Sequence, residues 1–186
     1  MEIGVELISV IFNVLYIVGI ARQKIWAWPS GFIGCALAVW MFYSGGLYAE
    51  SLLNIIYSVL AIYGWRQWSL VDVPKSIRLV KKPEVYLIIL IVLILGLLAG
   101  YAMADSTKNP LPYIDCMIAS VSILATIWQA KRVLENWLLW IILNIATIFI
   151  YLNRDYDIYA IYSFFLVIMS FWGLRKWRHI LSQPHS

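Results

Sequence analysis

The chain has 186 residues, of which 63% are hydrophobic and 13% charged, with a formal net charge of +4 and a mean hydropathy of +0.82. A soluble domain carries about 45–50% apolar and ~25% charged residues, and a domain of this size cannot hide such a surplus because much of its surface must stay in water. The composition excludes an ordinary soluble domain and predicts one membrane-embedded domain, residues 1–186.

Seven apolar runs approach the ~20 residues that a membrane helix needs. They cover roughly 3–21, 28–44, 48–65, 85–104, 111–130, 136–152 and 157–174. The first is preceded by acidic rather than basic residues, so no cleavable signal peptide is evident. In it, Asn13 and Tyr16 are polar positions. The second holds Pro29, Cys35 and, toward its far end, Trp40, and Gly45-Gly46 follows it. Pro29 and this pair suit a helix start and a loop, with helix-end flexing as a second role. In the third, Glu50, Asn54, Tyr57 and Ser58 share one helical face. A polar stripe in an apolar span must face the bundle interior or a wet cavity. It forms one wall of a solute site or hydrogen-bonding glue between helices.

A polar segment from about 66 to 83 is the one long linker, and Pro83-Glu84 at its end suits a helix start. The fourth run is mostly Leu, Ile and Val, with Gly96 and Gly100 at small-xxx-small spacing. It is expected to be a tether with one packing face. The fifth offers Asp115, Ser120, Ser122, Thr126 and Trp128. The sixth carries Trp137, Trp140, Asn144 and Tyr151 along one stripe, with Ile148 between the last two. Asn144 can both donate and accept hydrogen bonds, whereas Trp137 fits an interfacial aromatic belt. The seventh contains Tyr159, Tyr162 and Ser163. Cys35 and Cys116 lie in apolar runs and read as packing residues. No metal cluster, paired catalytic carboxylates or phosphate-binding loop is evident, so neither an enzyme nor a cofactor is expected.

Lys and Arg set the orientation. With the N-terminus outside, twelve of the 14 basic residues fall on the cytoplasmic side, leaving Lys108 and Arg154 outside. The basic charge then faces anionic lipid, and no nucleic-acid partner is needed. The outer half would hold Glu2, Glu6, Glu50, Asp105, Asp115, Asp155 and Asp157, a mouth that attracts cations.

An internal repeat is visible. Tyr63-Gly64-Trp65-Arg66-Gln67-Trp68 resembles Trp172-Gly173-Leu174-Arg175-Lys176-Trp177, and the same 109-residue step carries Arg22 to Lys131 and Trp28 to Trp137. The expected fold is all-α: seven transmembrane helices, with two parallel three-helix repeats joined by a linker helix. The repeats would be residues 1–68 and 105–178, with a cytoplasmic linker and connecting helix at 69–104 and a cytoplasmic tail at 179–186.

The stretches from Trp26 to Trp68 and from Asn136 to Trp177 resemble the PnuC family of bacterial vitamin transporters. The Tyr-Gly-Trp-x-x-Trp ending and the Asn-Trp-x-x-Trp opening carry the likeness together. The resemblance implies a 3+1+3 bundle similar to SWEET proteins, in the bacterial cytoplasmic membrane. It also implies facilitated diffusion of an unphosphorylated vitamin, without ATP or ion coupling. A cytoplasmic kinase would trap the solute without needing to touch the carrier, and a homo-oligomer is compatible with this picture. Nicotinamide riboside carriers of the family resemble one another in an Asn-x-x-x-Trp-x-x-Tyr pattern in span six and a Gln in span three. Here Ile148 replaces that Trp, and span three has Ser51 and Asn54. With the acidic outer half, this favours thiamine, the cargo of the PnuT branch, with nicotinamide riboside as the alternative. The expected substrate site is Trp40, Glu50, Asn54, Tyr57, Trp140, Asn144 and Tyr151. A non-transporting receptor and a membrane enzyme are the rival classes.

Overall fold

The computed structural model describes residues 2–70, 76–80, 82–104, 111–153 and 156–183, without the side chains of 2, 3, 6, 82 and 83. Several charges counted above lie outside the described residues: Lys75, Lys81, Asp105, Lys108, Arg154 and Asp155, and the side chains of Glu2, Glu6 and Lys82.

The described residues form seven helices: α1 (Glu2–Ala21), α2 (Ala27–Ser44), α3 (Tyr48–Ser69), α4 (Lys82–Ala104), α5 (Pro112–Ala130), α6 (Asn136–Leu152) and α7 (Asp157–Ser182). Each contains one of the expected apolar runs, except that α5 begins one residue into its own. By length and composition, Glu84–Ala104, Pro112–Ala130 and Asp157–Ser182 suffice to cross a membrane, and Leu7–Ala21 and Asn136–Leu152 are shorter apolar helices. The helices α2 and α3 spend more positions on Gly, Ser, Asn, Tyr and Trp, which lowers their apolar content.

Two helices run beyond their apolar stretches. Residues 66–69, expected in the linker, continue α3, and α7 continues through Arg175 and Lys176 to Ser182. The cause is the tryptophan one turn further on: Trp68 and Trp177 are 3% and 0% exposed and return to the core. Charged side chains on the far face of such a turn stay wet while the indole is buried.

Sequential helices pack side by side, α1 on α2, α2 on α3, α4 on α5, α5 on α6 and α6 on α7, while α3–α5 and α1–α7 contacts close the bundle. The Gly96/Gly100 face of α4 meets α5 at close range. A Cβ on Gly96 would stand 2.8 Å from the Met117 Cα, and one on Gly100 would stand 2.7 Å from the Tyr113 Cα. Small residues thus let two backbones approach where apolar area alone gives no drive between helices in lipid.

The 109-residue step recurs in the backbone. Between α1 and α2, the N–H of Lys24 donates to the Gly19 carbonyl (2.8 Å), as the N–H of Val133 donates to the Trp128 carbonyl between α5 and α6 (2.9 Å). Gln23 and Arg132, at matching places in these turns, have φ of +52° and +56°. Gly64 lies against the Trp28 ring as Gly173 lies against the Trp137 ring. Trp28 then meets Trp68 edge-to-face at 5.4 Å between ring centroids, and Trp137 meets Trp177 at 5.6 Å.

These tryptophans close one end of the bundle. The indole N–H of Trp68 donates to the Ala130 carbonyl (2.9 Å), and that of Trp177 donates to the Ile20 carbonyl (3.2 Å). Each reaches from the end of one helix triplet to the first helix of the other. Ile77 from the linker joins this cluster. Its neighbour Arg78 pairs with the α5–α6 turn, donating to the Arg132 carbonyl and accepting from the Leu134 N–H, both at 2.9 Å. Arg132 is buried with its guanidinium 4.6 Å from the Trp68 ring centroid. Burial, and after it the neighbouring Arg78, lower its proton affinity below the usual arginine value, and the indole face supplies the compensating attraction.

Candidate substrate-binding site

Above the tryptophan cluster lies a chamber of about 170 Å³, an order of magnitude more than the ~10–15 Å³ that one water needs by a like measure. Six of the seven helices line it, and α4 does not. Positions one repeat apart face each other across it: Ile17 and Thr126, Gly31 and Trp140, Cys35 and Asn144, Tyr57 and Leu166, Ala61 and Ser170. Among the described residues, no Asp, Glu, Lys, Arg or His lines it.

Its floor is polar. Tyr16 on α1 donates its hydroxyl to Oε1 of Gln129 on α5 at 2.8 Å. Gly31 makes room for Tyr16, because a Cβ there would stand 2.6 Å from the ring. On α5, Ser122 donates to the Ala119 carbonyl, so the Tyr57 hydroxyl of α3 donates to Ser122 Oγ in turn. Asn144 on α6 is 7% exposed and donates Nδ2 to Ser170 Oγ on α7 at 3.5 Å, the outer limit of a hydrogen bond. Ser170 is itself held by the Leu166 carbonyl. Trp137, Trp140 and Tyr162 complete the aromatic wall.

Of the seven residues expected to form the site, Tyr57, Trp140 and Asn144 line the chamber, as do Asn13, Tyr16, Thr126 and Tyr162, which the spans also offered as polar positions. Trp40 is 49% exposed and Glu50 is exposed, both away from the chamber. Asn54 donates to the Glu50 carbonyl and Ser58 to the Asn54 carbonyl, so this stripe bonds back along its own helix. Tyr151 stacks on Tyr159 with centroids 5.5 Å apart, toward the opposite end of α6 from Trp137. Ser51 is 3% exposed and donates to the Val39 carbonyl, tying α3 to α2. The acids expected to form a cation-attracting mouth do not gather at the chamber: Glu50 and Asp157 are exposed, and neither they nor Asp115 line it.

Gln129 and Ser170 are chamber residues that sequence reasoning passed over. The signal for Gln129 was its spacing from Ser122 and Thr126, which puts all three on one face of α5. Trp137, expected in an interfacial belt, is 1% exposed and stands in the chamber's aromatic wall. Its Gly173 contact requires an inward indole, and that pairing could be read only from the fold.

A family model described as nicotinamide mononucleotide transporter matches residues 3–179. The nicotinamide riboside transporter PnuC of Escherichia coli (strain K12) is 24% identical, the match covering 93% of this chain and 84% of that one. The riboflavin/roseoflavin transporter RibM of Streptomyces davaonensis is 25% identical over 89% and 81% of the respective chains. A crystal structure of the vitamin B3 transporter PnuC superposes with a TM-score of 0.78 at 20% identity, covering 98% of this chain and 83% of that one. The solved structure shares the fold, and all three relatives are named as transporters.

Proposed function

Because the chain belongs to the nicotinamide mononucleotide transporter (PnuC) family, we propose that it carries nicotinamide riboside or a closely similar nucleoside without a phosphate through the chamber described above. The observation that carries this reading is the chamber's chemistry: amides and hydroxyls on an aromatic wall, with no ionised side chain. Amides pair with a carboxamide and sugar hydroxyls. The faces of Trp140, Trp137 and Tyr57 can hold a pyridinium ring by stacking and cation–π attraction, with no carboxylate required. A phosphate would be a buried anion without a cation, which costs several kcal/mol. The nucleoside is therefore expected to bind and the mononucleotide to be refused.

Thiamine, favoured from the acidic outer half, loses that support. The acids do not reach the chamber, and the relatives named above are named for nicotinamide riboside and riboflavin. Trp40, Glu50, Asn54 and Tyr151, away from the chamber, fit an entry path rather than the resting site.

The same proposal takes all seven helices as spans, arranged as two parallel three-helix units joined by α4. The repeated turns and the paired tryptophans support it. The basic side chains of Arg22, Arg78, Lys131, Arg132 and Arg175 collect at the tryptophan end, which supports placing that end in the cytoplasm with the N-terminus outside. Transport is then a passive uniport across a bacterial inner membrane. The two units rock about the chamber, and a cytoplasmic kinase traps the solute.

Calorimetric titration of purified protein tests the substrate. Nicotinamide riboside should bind at least tenfold more tightly than its mononucleotide and than thiamine; a preference for thiamine would overturn the assignment. In liposomes, labelled solute should equilibrate and go no further. Accumulation above equilibrium without a kinase inside would end the passive mechanism, and failure to equilibrate would favour a receptor.

A further inference from the structure

Gln129 spans the boundary between the two helix triplets in a way that glue alone does not require. Its Oε1 accepts from the Tyr16 hydroxyl at 2.8 Å, which leaves Nε2 as the free end of the amide. The residue is 2% exposed and lines the chamber, yet its Nε2 has no hydrogen-bond partner among the described residues and is not sealed from the chamber. A buried amide N–H without a partner costs about 1–3 kcal/mol until something accepts from it. The α5 hydroxyls on the same helical face make bonds of their own. Thr126 donates to the Ser122 carbonyl, and Ser122 donates to Ala119 while accepting from Tyr57.

We infer that Gln129 is a substrate-binding, specificity-determining residue, with Tyr16 as the positioning residue that locks its amide so that Nε2 donates to an acceptor oxygen of the ligand, a carboxamide oxygen or a sugar hydroxyl. This deepens the transport reading and rests on it for the ligand's identity. Tyr16 comes from α1 and Gln129 from α5, so the oriented donor exists only when those helices are together. Recognition and closure of the tryptophan end are thereby the same event, and a ligand that accepts from Gln129 favours the closed arrangement.

The test is a double-mutant cycle on nicotinamide riboside affinity, measured by calorimetry on the full chain. Gln129→Leu should weaken binding about tenfold or more, the loss expected for an unpaired buried hydrogen bond. Tyr16→Phe should weaken it severalfold. Tyr16→Phe added to Gln129→Leu should bring no further loss, because there is no amide left to position. Thermal unfolding checks that each variant folds, and Gln129→Asn serves in place of Gln129→Leu where the latter fails to fold. Unchanged affinity in a folded Gln129 variant, or losses that simply add, would overturn the inference. If the unaltered chain binds riboflavin and not nicotinamide riboside, the substrate reading falls, and the same cycle run with riboflavin decides on Gln129. Binding of neither ligand overturns both.

Discussion

The first three helices and the last three share a backbone plan and differ in what they put on it. Turn for turn, α1–α2 and α5–α6 repeat the same hydrogen bonds, and Trp28 with Gly64 mirrors Trp137 with Gly173. Along the chamber wall the match ends. Where the first unit has Ile17, Gly31, Cys35 and Ala61, the second has Thr126, Trp140, Asn144 and Ser170; the first unit keeps its own polar side chains at Asn13, Tyr16 and Tyr57. The second triplet supplies more of the polar and aromatic contacts, and the first leaves more of the space. A scaffold can keep its symmetry for movement while its site becomes one-sided, because closure depends on backbone and tryptophan packing and recognition depends on side chains.

The largest way to break that comparison is at the pair Cys35 and Asn144. Asn144→Ala should weaken nicotinamide riboside binding by about 1–3 kcal/mol, roughly ten- to a hundredfold, since a buried polar partner is lost. Cys35→Ala at the equivalent place should change it less than about threefold. Similar losses at both, by calorimetry, would make the site two-sided.

The glycines sharpen the symmetric half of the account. Alanine at Gly64 or Gly173 gains ~0.5–1 kcal/mol of helix preference but drives a Cβ into a buried indole, and overpacking costs about 1–3 kcal/mol. The clash wins because Trp28 and Trp137, 0% and 1% exposed, have nowhere to move. Both variants should lose a net ~1–2 kcal/mol, by like amounts in denaturant titration; a cost at one site alone would separate the two ends.

A smaller effect is expected from Trp68→Phe and Trp177→Phe, which remove the indole donors to Ala130 and Ile20 and keep a ring in place. Each should lower stability by about 0.5–1.5 kcal/mol and raise transport of labelled solute if the tryptophan end must part in each cycle. The least effect belongs to Glu50→Gln, exposed and away from the chamber. Affinity should stay within about twofold, and a tenfold loss would return the acid to the site.

The helices were legible because apolar runs of membrane length leave little choice of structure. Their ends were not: Trp68 and Trp177 extend α3 and α7 past the last apolar stretch, and one buried residue beyond charged neighbours is a weak signal. The repeat was readable from the Gly-Trp endings, and Tyr57, Trp140 and Asn144 from their polarity inside apolar spans. Glu50 and Asn54 looked alike on a helical wheel, but spacing does not tell which face a neighbour covers. Gln129, beside Lys131 at the end of a run, looked like a span boundary, and only the meeting of α1 with α5 reveals its Tyr16 partner.

On the proposed function, substrate rests in the uncharged chamber between the two triplets. A structure solved with nicotinamide riboside bound would test it most directly. The account predicts ligand density touching Asn144 and Gln129 with its ring against Trp140. Density instead beside Glu50 and Trp40, with the chamber unchanged, would contradict it.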